Sequence, residues 1–123
     1  MIIGAHTLWY SHNPEADRAF LRDVIGLNAI DIGNGWLIFA MPPSEAAVHP
    51  ADAEDERPDV GHRLLNAHVY FMCDDLESTL AVLRKKGVTF SEPQKERWGI
   101  VTHLQLPSGG ELGLYQPLHK TAI

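Results

Sequence analysis

The eleven residues Asn66-Ala67-His68-Val69-Tyr70-Phe71-Met72-Cys73-Asp74-Asp75-Leu76 carry an apolar strand, a helix cap and a helix start in immediate succession. Asn66 to Cys73 has the length and residue types of a strand, and Asp74-Asp75 offers side-chain oxygens to the first free amides of a helix. Beyond it Leu76, Leu80 and Leu83 recur at helical spacing until Gly87 closes the run. Val88 to Phe90, Ile100 to Leu106 and Glu111 to Tyr115 then read as strands, with Ser108-Gly109-Gly110 as the turn between the last two.

The same order stands in the first half of the chain. Ile2 to Tyr10 reads as a strand, Asn13-Pro14 as a helix start, and Ala16, Phe20 and Val24, with Ala19 beside them, as a helical stripe that Gly26 ends. Asn28 to Ile32 and Trp36 to Met41 make a hairpin around Gly33-Asn34-Gly35, Pro42-Pro43 stops it, and Ala46 to His49 supplies one further short strand. Residue matches sharpen the shared order into a repeat. At an offset of 62, Ala5-His6 falls on Ala67-His68, Trp36 on Trp98 and His49 on Glu111, while Gly26 falls within one residue of Gly87.

The fold expected is therefore α+β: two tandem βαβββ modules forming an open, cup-shaped arrangement of eight strands. One domain, 1–123, is divided into module 1 over about 1–50, a linker over about 51–63, module 2 over about 64–117, and a tail over 118–123. Residues 51–58, rich in Asp, Glu and Pro, are too polar to order themselves by burial.

Composition narrows the function classes. A net charge of −6 works against nucleic-acid binding, which needs clustered Lys and Arg. Arg84-Lys85-Lys86 is the one basic cluster, and it lies where cations favour a helix C-terminus. No apolar stretch is long enough for a membrane span and the N-terminus lacks a signal-peptide pattern, so a cytoplasmic protein without a membrane partner is expected. The single cysteine, Cys73, excludes an internal disulfide and reads as a small buried hydrophobe.

His6 and His68 occupy equivalent strand positions. A lone histidine among apolar neighbours is commonly a hydrogen-bonded core residue, whereas two at matching places in two modules suggest a shared site. With Ala5-His6-Thr7, Phe20 to Leu27, Ala67-His68-Val69 before Asp74-Asp75-Leu76, and Leu106-Pro107-Ser108-Gly109-Gly110-Glu111-Leu112-Gly113-Leu114-Tyr115, nearly the whole chain resembles the vicinal oxygen chelate superfamily. This is the glyoxalase, bleomycin-resistance and extradiol dioxygenase group.

That resemblance implies a divalent metal held by one ligand from the first strand and one from the last strand of each module. His6 and His68 match the first-strand positions, and His49 and Glu111, paired by the internal offset, the last-strand ones. The chain departs from the family at Gly113, where an ungapped reading puts the family's glutamate. Three imidazoles and a carboxylate suit Zn²⁺, Ni²⁺, Fe²⁺ or Co²⁺. Without His49 the set becomes two histidines and one carboxylate, as in non-haem iron sites.

The leading expectation is a glyoxalase-like metal-dependent enzyme, a lyase, isomerase or dioxygenase, acting on a small substrate that chelates the metal through two vicinal oxygens. Glu111 or His103 would move the proton, and Tyr115 would offer its hydroxyl to a ligand oxygen. The alternative is a non-catalytic small-molecule or antibiotic-binding protein, for which the acidic charge and Trp9, Trp36, Trp98 and Tyr115 suit a cationic aromatic ligand. A homodimer is implied by the resemblance, and nothing in the sequence favours a role purely in protein interaction. His12, His62 and His119 read as solvent-exposed.

Overall fold

The computed structural model describes Met1, residues 4–48 and residues 67–123. Over these the chain is α+β, as its residue pattern predicts. It divides into two compact units, Met1–Ala40 with Gln105–Glu111, and Met41–Leu104 with Leu112–Ile123. The expected linker, and His49 with it, lie outside the described residues.

In the first unit, α1 (Pro14–Phe20) begins where the Asn13 side chain accepts the Ala16 amide at 3.4 Å and Pro14 takes a first-turn position that needs no N–H. The helix continues into one wide π turn, Leu21–Ile25, and leaves through Gly26 at φ 85°. Strands β1 (Ala29–Asp31) and β2 (Leu37–Phe39) pair antiparallel with Ile30 opposite Ile38. Their turn keeps positive φ at Gly33, Asn34 and Gly35, the residue types that tolerate it.

Asp17 is a buried charge in this unit, 8% exposed. Its Oδ1 accepts the Ser108 amide at 3.0 Å, and its Oδ2 accepts the hydroxyls of Ser108 at 2.6 Å and Ser11 at 2.7 Å. Burial pushes the carboxyl up, but these hydrogen bonds from Ser108 and Ser11 outweigh it and hold it below its ordinary value. One charged side chain thereby fastens α1 to the Ser108-Gly109-Gly110 turn.

The second unit is built on a four-stranded sheet in the order β3 (Tyr70–Met72), β6 (Glu111–Pro117), β5 (Gly99–Gln105), β4 (Gln94–Lys95). β3 runs parallel to β6 with Tyr70 opposite Gly113, and β4 antiparallel to β5 with Gln94 opposite Val101. Helix α2 (Leu76–Lys85) is capped by Asp75, which accepts the Ser78 amide at 2.9 Å. Its stripe of Leu76, Leu80 and Leu83 is buried, as are Leu104, Leu112 and Leu114 of the sheet. Each such leucine contributes about 1.5–3 kcal/mol of transfer free energy. Among them Thr102 stays satisfied by donating to the Ser91 carbonyl at 2.6 Å.

The described residues hold six strands in two sheets, where eight were expected. Of the anticipated first strand, Ile2 and Ile3 are outside the described residues and residues 4–10 form no ladder. Apolar alternation makes a stretch fit for a sheet but supplies no neighbour to exchange hydrogen bonds with. For the same reason residues 46–48 are not a strand, and Val88 to Phe90 shrinks to a single bridge between Phe90 and Leu104.

The near-match of the two helix exits has a structural cause. The caps Asn13 and Asp75 sit at the repeat offset of 62, yet Gly26 stands 13 residues after its cap and Gly87 only 12. The first helix absorbs the additional residue as its π turn. The Leu27 amide accordingly reaches back six residues to the Leu21 carbonyl, whereas that of Val88 reaches back five to Leu83. Both exits keep a left-handed glycine, Gly26 at φ 85° and Gly87 at 77°.

Candidate functional site

Alternation sorts the residues of β5 and β6 onto two faces. Thr102 and Leu104 lie on one side of β5, and Gly99, Val101 and His103 on the other. A β-carbon on Gly99 would meet the Tyr115 ring at 2.8 Å, so Gly99 and Tyr115 share a face. At Gly113 the added carbon would run into the Tyr70 ring, two of whose carbons lie 2.6 Å from that position. Each glycine is thus a seat that lets an aromatic ring press on bare backbone.

On these seats stands a cluster of rings. Tyr70 meets Trp98 (centroids 6.0 Å apart, 81°), His103 (5.6 Å, 64°) and Tyr115 (6.0 Å, 86°), all edge-on, and Trp98 meets Tyr115 at 5.4 Å and 65°. Such contacts point a positive ring edge at a negative ring face and contribute about 0.5–1.5 kcal/mol each beyond burial. Tyr115 is buried, Tyr70 and His103 are half-buried, and Trp98 is 41% exposed, so the cluster runs from a covered floor to an open rim.

His119 joins this cluster in a different geometry, beside the Tyr115 hydroxyl with ring centroids 6.1 Å apart and planes 21° from parallel. Its Nδ1 lies 2.9 Å from the Lys120 carbonyl, which can only accept, so Nδ1 carries the proton. In the neutral ring Nε2 is then the acceptor, and the Tyr115 hydroxyl donates to it across 3.2 Å. Burial, with the Glu45 carboxylate adding to it, pushes the Tyr115 phenol up, so it remains protonated. An open recess of about 400 Å³ is lined among others by Cys73, Asp74, Gln116, His119, Thr121 and Ile123. Burial raises the Cys73 thiol, with the charges of Asp74 and Asp75 adding to it. It is a protonated donor to the Tyr115 carbonyl at 3.4 Å.

His103 and Tyr115 are thus brought together in one cluster. His6, in the first unit, and His68, just before β3, are exposed and stand outside any strand, and Glu111 opens β6 as an exposed residue. Of the aromatic residues considered for a ligand, Trp98 and Tyr115 belong to the cluster. Trp9 and Trp36 belong to the first unit, where Arg18 lies 4.8 Å over the Trp36 ring. Sequence reasoning missed Tyr70 and His119 as site residues. The signal for Tyr70 was available in Gly113, a glycine inside a strand, which marks close approach to the backbone.

Comparison with known proteins gives this arrangement its context. A family model described as the Glyoxalase/Bleomycin resistance protein/Dioxygenase superfamily matches residues 5–109. The chain belongs to this superfamily. Its fold is also that of solved structures with low sequence identity. TnmS3, an antibiotic binding protein from Streptomyces sp. CB03234, is 21% identical with a TM-score of 0.59, covering 95% of this chain and 98% of that one. A lactoylglutathione lyase from Agrobacterium tumefaciens is 18% identical at 0.62, covering 89% and 90%. A glyoxalase/bleomycin resistance protein from Streptomyces sp. CB03234 is 20% identical at 0.54, covering 86% and 93%. No curated protein matches the chain.

Members of the superfamily commonly bind a divalent metal, and the donors expected here are divided between the two units, His6 and Glu111 in the first and His68 in the second, with His49 outside the described residues. Among the described residues no three His, Cys, Asp or Glu side chains are grouped to hold an ion. At Gly113, where the ungapped reading put a glutamate, the Tyr70 ring takes the space of any side chain.

Proposed function

We propose that this superfamily member is a small-molecule-binding protein that takes a planar aromatic ligand against the Tyr70–Trp98–His103–Tyr115 face. The observation that carries this reading is the pair of glycine seats, Gly99 and Gly113, which give up side chains so that rings can cover the strand positions between them. A face built of ring edges and planes suits a flat apolar body by area and by stacking. The net charge of −6 and the carboxylates Asp74 and Glu45 in the same unit favour ligands that are cationic as well as flat. TnmS3, an antibiotic binding protein with this fold, agrees with such a role.

Fluorescence titration with proflavine, a planar cation, and with its neutral counterpart acridone tests the proposal. Saturable binding at one site per chain is expected, tighter for proflavine and weakened at least tenfold in Trp98→Ala. Wild-type protein that binds neither probe refutes the reading. The homodimer implied by the family resemblance is carried over with it, supported by the exposed Leu8, Ile30, Ile32 and Trp36, and is read by light scattering.

A further inference from the structure

The ring cluster has its buried floor at Tyr115, and the tail after β6 ties a carboxylate to that end of it. The Tyr115 hydroxyl donates to His119 Nε2 across 3.2 Å, and the Ala122 amide donates to Glu45 Oε2 at 2.6 Å. His119 and Ala122 are three residues apart, and even a fully extended chain of that length spans at most about 11 Å. Glu45 and the hydroxyl end of Tyr115 are therefore held to one short stretch of backbone.

Glu45 differs from the other carboxylates of this unit in its surroundings. It is half-buried, the Ala122 amide orients it, and among the described residues no Lys or Arg pairs with it. Burial pushes up the Tyr115 phenol and the charge of Glu45 adds to that push, so the carboxylate is felt at the floor of the cluster. Asp74 and Asp75 act instead on Cys73, and Asp75 is engaged in capping α2. His119 brings no offsetting positive charge in its neutral form, with Nδ1 given to the Lys120 carbonyl and Nε2 accepting from Tyr115. A half-buried carboxylate without a counter-ion attracts a cation more strongly than one in open water, because less solvent screens it.

We infer that Glu45 is the residue that selects cationic over neutral planar ligands, serving as counter-ion to a positive charge carried at the Tyr115 end of the ring face. This rests on the proposed binding role and deepens it, because it assigns the preference for charge to one side chain instead of to the net charge of −6. A single carboxylate acting over several ångströms near a protein surface changes affinity for a unit charge by about fivefold at low salt.

Fluorescence titrations of wild type, Glu45→Gln and Glu77→Gln with proflavine and acridone at low salt test this. Glutamine keeps an oxygen for the Ala122 amide, so Glu45→Gln removes the charge and retains the tail contact. Glu77, exposed in the first turn of α2, supplies the same change in net charge elsewhere in the unit. Glu45→Gln is expected to bind proflavine about fivefold more weakly, with acridone affinity unchanged. Glu77→Gln is expected to bind both probes as the wild type does. Equal weakening of both probes in Glu45→Gln, unchanged proflavine affinity there, or as large a loss in Glu77→Gln overturns the inference and leaves the proposed function standing. If the wild type binds neither probe, the proposed function fails, and the inference with it.

Discussion

The Tyr70 ring fills the space above Gly113 that a β-carbon would need, across a parallel strand pair in which the two residues are direct partners. Gly113→Ala should therefore cost about 1–3 kcal/mol, the usual range for forcing extra carbon into a packed site. In a Tyr70→Ala background most of that cost should vanish. Thermal or urea unfolding of the four forms reads the coupling directly, and equal costs in both backgrounds would show that the ring and the glycine are independent.

Asp17 predicts acid sensitivity of a definite sign. Its carboxyl titrates below its ordinary value of 3.8 in the folded chain, so the unfolded chain binds the proton more readily. Its stabilising effect is complete above that value and is lost as pH falls through it toward the folded-state value. Asp17→Ala, which strands the Ser108 and Ser11 donors, should cost about 2 kcal/mol or more at neutral pH. The gap between variant and wild type should narrow below about pH 4. Urea unfolding as a function of pH measures both, and a gap that stays constant to low pH would contradict the role given to the charge.

Gly26 and Gly87 close their helices in the same left-handed conformation. Replacing either by alanine should cost about 1–2 kcal/mol, because a β-carbon crowds the following carbonyl there. Nothing lies within 4 Å of the added carbon at either position, so the two penalties should be purely conformational and similar in size. Chemical denaturation checks the pair, and a large difference would mean that the exits are not equivalent.

Metal content separates the binding role from the enzyme role that the histidines suggest. Protein purified without an affinity tag and offered Zn²⁺, Ni²⁺ and Fe²⁺ should retain well below one ion per chain after dialysis. The double variant His6→Ala with His68→Ala should retain the same. Near-stoichiometric metal that disappears in the double variant would favour the set of His6, His49, His68 and Glu111 over the aromatic face.

Much of this fold is written locally. Asn13 and Asp75 as caps, Gly26 and Gly87 as exits, and the Gly33-Asn34-Gly35 and Ser108-Gly109-Gly110 turns need only neighbouring backbone to work, and each is found where the residues put it. Strand pairing is different, because a stretch such as residues 4–10 has strand character without any sign of what it pairs with. The site divides the same way. Tyr115 and His103 were recognisable as polar aromatic residues on late strands. The contact between Tyr70 and Gly113 spans 43 positions, and His119 enters only because the tail turns back.

The π turn of Leu21–Ile25 gives the spacing mismatch between the two halves a structural form. If the two halves arose by duplication, one copy later gained or lost a single residue between cap and exit, and the chain still carries both versions. The change was absorbed by a wider turn while the glycine kept its left-handed conformation, so helix length was the part free to drift and the exit angle the part that was held. Each half is therefore a reference state for the other, the same capped helix and left-handed exit in a longer and a shorter version.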